Sequence, residues 1–142
     1  MFDPSRDDVR RFFCEAWRKQ REALPLTTLE AIAADWITEH PEYHADLDSL
    51  EQALAADYPV TGGRSNPFLH LAMHLSISEQ VQIDQPPGIR AAHAALAARL
   101  GSAHQAAHRI MDCLGEVLWR AQRDSAPPDA EAYIDCIRRQ AG

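Results

Sequence analysis

The sequence predicts an all-α fold, a single-domain helical bundle of six or seven helices with short turns that spans residues 1–142. Helix-capping signals recur along the chain, and proline and glycine interrupt it at helix-length intervals. The one alternation of apolar and polar residues, Val81-Gln82-Ile83, is too short for a strand. We therefore expect a helix content well above the average of roughly one-third for globular proteins.

Capping signals open four helices in the first half of the chain. They lie at Asp3-Pro4, at Thr27 with Glu30, at Pro41, and at Asp48 with Glu51. The predicted helices cover about residues 3–23, 27–37, 41–47 and 48–56. The segment 58–65 contains a proline and two glycines, and it is predicted to be a loop.

The second half contains four predicted helices, and the four longer helices of the whole chain should build the core of the bundle. Asn66-Pro67 begins the first of them, a proline-rich turn separates it from the next, and Ser102 with Gln105 caps the third. The predicted ranges are 67–83, 89–100, 102–123 and, for a final helix after Pro127-Pro128, 128–139. Across the whole chain, seven large apolar side chains of the predicted helices should be buried: Trp17, Trp36, Phe68, Leu71, Leu75, Leu114 and Leu118.

Composition excludes several classes of function. The chain has 21 acidic and 14 basic residues, a formal net charge of −7, so it lacks the basic balance of a nucleic-acid-binding protein. No apolar run approaches the about 18 residues that cross a bilayer, so no membrane partner is expected. The basic residues of the first helix alternate with acidic ones and are interpreted as a solvated face: Arg10, Arg11, Arg18, Lys19 and Arg21.

The cysteines and the N-terminal segment predict a cytoplasmic protein. Cys14, Cys113 and Cys136 are odd in number and form no CxxC pair, which favours reduced thiols, with Cys113 as a small interior residue. The first residues are charged and lack the apolar stretch of a signal peptide.

Six of the seven histidines form three pairs with a spacing of four residues: His40 and His44, His70 and His74, and His104 and His108. Residues four apart share one face of a helix, with Cβ atoms about 5–6 Å from each other. That spacing allows two imidazoles to bind one metal ion. The pattern therefore indicates a metal site without specifying a reaction.

His70 and His74 are the strongest candidates because they lie in an apolar stripe with Met73 and Ile77. A buried imidazole without a partner costs about 1–3 kcal/mol, so each needs a hydrogen bond or a metal. Two core histidines that are bonded to carbonyls or carboxylates explain the same pattern equally well.

His104 and His108 are the predicted partners, provided that the two long helices pack antiparallel with the pairs facing each other. Asp112 continues their row by one turn, and the same row is equally consistent with a solvent-exposed flank. His40 and His44 straddle Pro41, which disfavours helix at His40, so a capping and surface role is favoured over ligation. The ligand set is therefore His70, His74, His104 and His108, with His40, His44 and Asp112 as secondary candidates.

The chemistry of such a site is a histidine-bound divalent transition metal, and zinc, iron and nickel all suit imidazole ligands. The chain has no Glu-x-x-His, which disfavours a carboxylate-bridged di-iron site, and Leu71 stands where a His-Glu-x-x-His metalloprotease has its glutamate. Gly62-Gly63 lacks the lysine of a phosphate loop, and no nucleotide or flavin site is apparent. No catalytic residue is assigned.

Six segments over nearly the whole chain resemble a small family of bacterial proteins, the domain of unknown function family 1841. They are FDPSRDDVRRFF, HPEYH, NPFLHLAMHLSISEQ, IDQPPGIRAAH, HRIMDCLGEVLW and PPDAEAYI, of which the third and fourth are the most specific. The resemblance implies a single-domain bacterial cytoplasmic protein and carries no activity. The histidine helices are also similar, at the level of fold alone, to haemerythrin-like and DinB-like bundles.

Two functions are consistent with these observations. The leading one is a metal-binding helical bundle with a histidine-rich site, one form of which is a metal-dependent enzyme that acts on a small molecule. The alternative is a structural or protein-interaction module whose histidines are core and capping residues. A small molecule, another protein and a second copy of the chain stay open as partners.

Overall fold

The computed structural model describes residues 5–58 and 66–142, which form eight α-helices, one 3-10 helix and no strand. The all-α prediction is confirmed. The eight α-helices are slightly more than the six or seven expected for the bundle, and they equal the predicted ranges in number. The helices are α1 (Arg6–Arg21), α2 (Thr28–Thr38), α3 (His44–Leu47), α4 (Leu50–Ala55), α5 (Pro67–Ile83), α6 (Ile89–Leu100), α7 (Ala103–Asp124) and α8 (Ala130–Ala141), and the 3-10 helix is Pro41–Tyr43. Residues 59–65 of the predicted loop lie outside the described residues.

The chain divides into two compact units, Met1–Leu75 and Ser76–Gly142, with the boundary inside α5. The prediction that residues 1–142 form a single domain stays a prediction. None of the helices in the described part of the chain is both long and apolar enough to cross a membrane.

In the first unit, α1 packs against α2 and α4. Their buried faces and the start of α5 form one apolar cluster, and Phe13, Ile37 and Leu71 are its most deeply buried large side chains. Trp17 and Phe68 are buried as predicted, whereas Trp36 and Leu75 are only partly buried at the edge of the cluster.

Two predicted helix starts in this unit are wrong, because a neighbouring serine supplies the cap. Ser5 caps α1. Its hydroxyl accepts from the Asp8 N–H at 3.1 Å, and the Asp8 carboxylate accepts from the Ser5 N–H. This reciprocal capping box satisfies two helix-end donors, and Asp3 lies outside the described residues. Likewise Ser49, not Asp48, caps α4.

The capping predictions for α2 and α5 are confirmed. Thr27 and Glu30 form a complete capping box, and Asn66 Oδ1 accepts from the N–H groups of Phe68 and Leu69. Each cap satisfies donors at the start of a helix that would otherwise lack a partner.

Arg10 contradicts the interpretation of the first helix as a solvated face, since only 3% of its surface is exposed. Its guanidinium donates to the carbonyls of Ala53 and Ala56, where α4 ends. The last carbonyls of a helix carry partial negative charge, which explains why a cation is stable there.

In the second unit, α6, α7 and α8 pack against one another. Ser102 caps α7 as predicted, and Asp129 caps α8, so that α8 begins at Ala130 and not within the prolines. In the turn before α6, Gly88 has a φ of 98°, a left-handed conformation that glycine adopts without the steric penalty of a Cβ.

Leu118 was predicted to be buried but is 41% exposed, because the buried stripe of α7 runs through Ile110, Cys113 and Val117. Leu118 lies about 100° around the helix from Val117 and falls outside that stripe. Leu114 is partly buried.

The prediction of three reduced cysteines is also wrong. Cys113 on α7 and Cys136 on α8 form a disulfide with an S–S distance of 2.09 Å. Only Cys14 is a free thiol, and burial raises its pKa to about 11. Residues 23 positions apart in the sequence meet because α7 and α8 pack together, and spacing alone does not reveal such a pairing.

Candidate metal centre

Three histidines of the first unit lie together: His40, His70 and His74. The ring centroids are 5.0 Å apart for His40 and His70, 4.9 Å for His40 and His74, and 4.8 Å for His70 and His74. His74 is fully buried, His40 is 4% exposed, and His70 is partly buried. His70 and His74, the two strongest candidates from the sequence, both belong to this cluster.

α5 positions His70 and His74 one turn apart, and their Nε2 atoms are 3.1 Å from each other. Two nitrogens that bind one zinc ion at about 2.0–2.1 Å are separated by about 3.3 Å in tetrahedral geometry and by about 2.9 Å at a right angle. The same distance fits a hydrogen bond between two neutral imidazoles in complementary tautomers. His70 and His74 are therefore positioned either to bind one metal ion together or to form a hydrogen bond with each other.

His40 joins the cluster from the end of α2, where the chain turns into the 3-10 helix. Its φ and ψ of −125° and 66° are non-helical, as expected for a residue that precedes a proline. The predicted surface role is wrong, because this turn directs the ring into the interior.

A carbonyl oxygen fixes the tautomer of His40. Its Nδ1 is 2.7 Å from the Trp36 carbonyl oxygen, which can only accept a hydrogen bond. Nδ1 therefore carries the hydrogen, and in the neutral ring the lone pair is on Nε2. Metal-binding histidines commonly use such a bond to orient the ring and to raise the basicity of the other nitrogen.

Two aromatic residues hold these rings. The Trp36 indole stacks on His74 with centroids 3.9 Å apart and planes inclined by 14°. The Tyr43 ring lies parallel to His40 at 5.4 Å and edge-on to His70 at 5.7 Å. Trp36 thus contacts two of the three histidines, one through its carbonyl and one through its ring.

The sequence interpretation did not single out Trp36 or Tyr43 for this site. A signal was present, because Trp36 precedes His40 by four residues and Tyr43 follows it by three.

His44 has a different environment from the cluster. Its Nε2 lies 2.9 Å from the Ile37 carbonyl oxygen, and its ring packs on Trp17 at 4.2 Å. Because the carbonyl and the indole hold this ring at the start of α3, His44 has the contacts of a structural residue.

The second unit contains the other predicted pair. His104 and His108 are partly buried one turn apart on α7, with ring centroids 4.6 Å apart. Asp112, one turn further along, is exposed. His93 on α6 is partly buried, and burial lowers its pKa below the ordinary value.

Comparison with known proteins identifies one family. A family model described as Domain of unknown function (DUF1841) matches residues 5–139. No curated protein and no solved structure matches the chain.

Proposed function

The chain belongs to the DUF1841 family, and we propose that it binds a divalent transition metal ion through histidine imidazoles. The observation that supports this most is the 3.1 Å separation of the Nε2 atoms of His70 and His74. That distance lies between the values for tetrahedral and right-angle ligation, so one ion can reach both nitrogens from these ring positions.

His40 is the third proposed ligand. Its Nε2 carries the lone pair, and its ring centroid lies within 5.0 Å of both other rings. A three-histidine set is typical of catalytic zinc, where a fourth position holds water. A small molecule that binds at this fourth position would be the substrate of a metal-dependent enzyme. We assign no reaction to the site.

The ligand chemistry restricts the metal. Neutral imidazoles without a thiolate or a carboxylate in the cluster suit zinc, iron(II) and nickel(II) better than magnesium or calcium, which prefer oxygen ligands. The stacked ring of Trp36 limits rotation of His74, and a ligand that is held before binding loses less entropy when the metal arrives.

The sequence-based prediction that His104 and His108 bind the same ion as His70 and His74 stays a prediction, as does a contribution from Asp112. It has a clear consequence for stoichiometry. If the two pairs share one ion, the protein binds one metal per chain, and loss of either pair removes it.

The test is metal uptake by protein that was purified without a histidine tag and stripped with a chelator. We expect titration with zinc, iron(II) or nickel(II) to give one ion per chain and a rise in the melting temperature. A ligand at 100 times its dissociation constant stabilises the native state by about 2.7 kcal/mol. Uptake should weaken as the pH falls, because ligation requires a neutral imidazole and protons compete with the metal.

His70→Ala and His93→Ala form a matched pair for this test, since each removes one partly buried imidazole. We expect His70→Ala to abolish stoichiometric binding and His93→Ala to keep it. His108→Ala then tests the second pair. Failure of the wild-type protein to take up any of the three metals would refute the proposal.

A protein-interaction module with structural histidines is the second candidate. Backbone carbonyls bond His40 Nδ1 and His44 Nε2, which are the contacts of structural imidazoles. If this is the function, His70→Ala changes stability by the same amount with and without metal.

Cytoplasmic location also stays a prediction. One of its premises was three reduced thiols, and the disulfide between Cys113 and Cys136 removes that support because disulfides are rare in the cytosol. Fractionation of the native host measures the location directly.

A further inference from the structure

Arg10 is a buried cation without an acidic partner in the described part of the chain. It is 3% exposed, and no carboxylate among the described residues forms an ion pair with it. The rings of Tyr58 and Phe68 lie 5.4 Å and 5.1 Å from its Cζ. A buried charge is costly unless it is paired, so an anion bound beside Arg10 would stabilise it further than the α4 carbonyls alone.

The carbonyls at the end of α4 accept from only two of the N–H groups of the Arg10 guanidinium. An arginine has five N–H donors. Nη1 donates to the carbonyls of Ala53 at 2.6 Å and Ala56 at 2.7 Å, which accounts for two. The other three, on Nε and Nη2, have no acceptor among the described residues. Nε–H and one N–H of Nη2 point in the same direction. Together they form an edge that can bind two oxygens of a carboxylate or a phosphate side by side.

Arg10 lines a cleft of about 330 Å³ in the first unit. Arg6, which donates to the Ala56 carbonyl at 2.6 Å, lines it as well. So does Asn66, whose Oδ1 accepts from two backbone N–H groups and whose amide nitrogen can act only as a donor. Among the described lining residues Asp57, which is exposed, is the one carboxylate, so two guanidiniums face one acid there.

We propose that this cleft binds a small organic oxyanion, a carboxylate or a phosphate monoester, with its oxygens on the Nε and Nη2 edge of Arg10. Arg6 and the amide of Asn66 add positive charge and a donor, and the N-terminus of α5 adds a favourable dipole. The apolar side chains of Val9, Leu69 and Ala72 and the rings of Tyr58 and Phe68 form the rest of the wall. The ligand therefore has a compact apolar body, and the volume is at the lower end of the about 300–1,000 Å³ of small-molecule sites.

This site is distinct from the histidine cluster. Leu69 and Ala72 on α5 line the cleft, whereas His70 and His74 form the neighbouring row of the same helix. Binding is therefore measured in the presence of a chelator, so that its outcome does not depend on whether the protein binds metal.

The probes are benzoate and phenyl phosphate, with benzyl alcohol as the neutral control, in calorimetric titrations of the full chain at low ionic strength. We expect saturable binding of at least one anion at millimolar concentration and none of the alcohol. The stronger anion identifies the headgroup. Binding of neither anion, or equal binding of the alcohol, overturns the proposal.

Leu69→Glu and Leu69→Gln test the site without altering Arg10. Leu69 is 60% exposed, so both variants should fold, and they differ only in charge. We expect Leu69→Glu to weaken anion binding at least tenfold and Leu69→Gln by less than threefold. Equal affinities in the two variants count against the site.

Arg10→Lys tests the guanidinium fork, because an ammonium group cannot replace it. Arg11→Lys is its control, an exposed arginine on the same helix. We expect a loss of at least tenfold for Arg10→Lys alone, and unchanged binding in a folded Arg10→Lys variant overturns the assignment. If this variant does not fold, the Leu69 pair decides the question.

Discussion

The two units differ in what they bury. All four buried polar or charged residues of the described chain belong to the first unit: Arg10, Glu30, His40 and His74. The second unit buries apolar residues and a disulfide between α7 and α8. Burial of polar groups requires partners and adds little net stability, whereas burial of apolar area stabilises directly.

This contrast suggests a division of roles. The first unit contains the candidate metal centre and the proposed oxyanion cleft, both of which require buried polar groups that do not maximise stability. The second unit has the features of a scaffold. Strained or costly groups often mark functional sites, because selection for stability alone would replace them.

The largest expected effect is a loss of stability when the apolar core of the first unit is truncated. Leu71 is fully buried, and Leu71→Ala should lower the free energy of unfolding by about 2–5 kcal/mol. Leu118→Ala is the control on an exposed leucine and should cost less than about 0.5 kcal/mol. Chemical denaturation measures both. Equal losses would mean that the buried faces are assigned incorrectly.

The second prediction concerns the covalent link in the second unit. Reduction of the Cys113–Cys136 disulfide should destabilise that unit by about 3 kcal/mol, the entropy of closing a loop of this length in the unfolded chain. Denaturation of a Cys14→Ala variant with and without reductant isolates the effect. Thiol titration of the unfolded wild-type protein should give one thiol before reduction, that of Cys14, and detection of three would contradict the disulfide.

The smallest effect concerns Glu30, the buried carboxylate of the first unit. The Thr27 N–H and then the Lys19 ammonium hold its pKa below the ordinary value of 4.5. A depressed pKa in the folded state means that the carboxylate stabilises the protein above pH 4.5 and that this contribution is lost as the pH falls through the folded pKa.

Glu30→Gln should therefore cost about 1 kcal/mol at neutral pH and reduce the acid sensitivity of unfolding below pH 4.5. Glu15→Gln is the control, because Glu15 also has a lowered pKa but pairs with Arg18 in solvent. Solvent screens exposed ion pairs, so a smaller effect is expected there. An equal pH dependence of unfolding in both variants would contradict the prediction that the buried Glu30 contributes more than the exposed Glu15.

Local signals in the sequence determined the helices. The capping groups of Thr27, Asn66 and Ser102 act within three residues, so the sequence alone locates these starts. The ends of α5 and α6 at Ile83 and Leu100 also match the predictions, because a proline turn and Gly101 stop them. The burial of His74 follows from its position in an apolar stripe.

Only the tertiary structure decided the environment of Arg10, the burial of His40 and the pairing of Cys113 with Cys136. Arg10 reaches a carbonyl 43 residues away in the chain, and the two cysteines are 23 residues apart. Helical periodicity places a side chain on a face, but it does not specify which distant group meets that face. That choice is made by the packing of whole helices, in which the burial of apolar area outweighs any single polar contact.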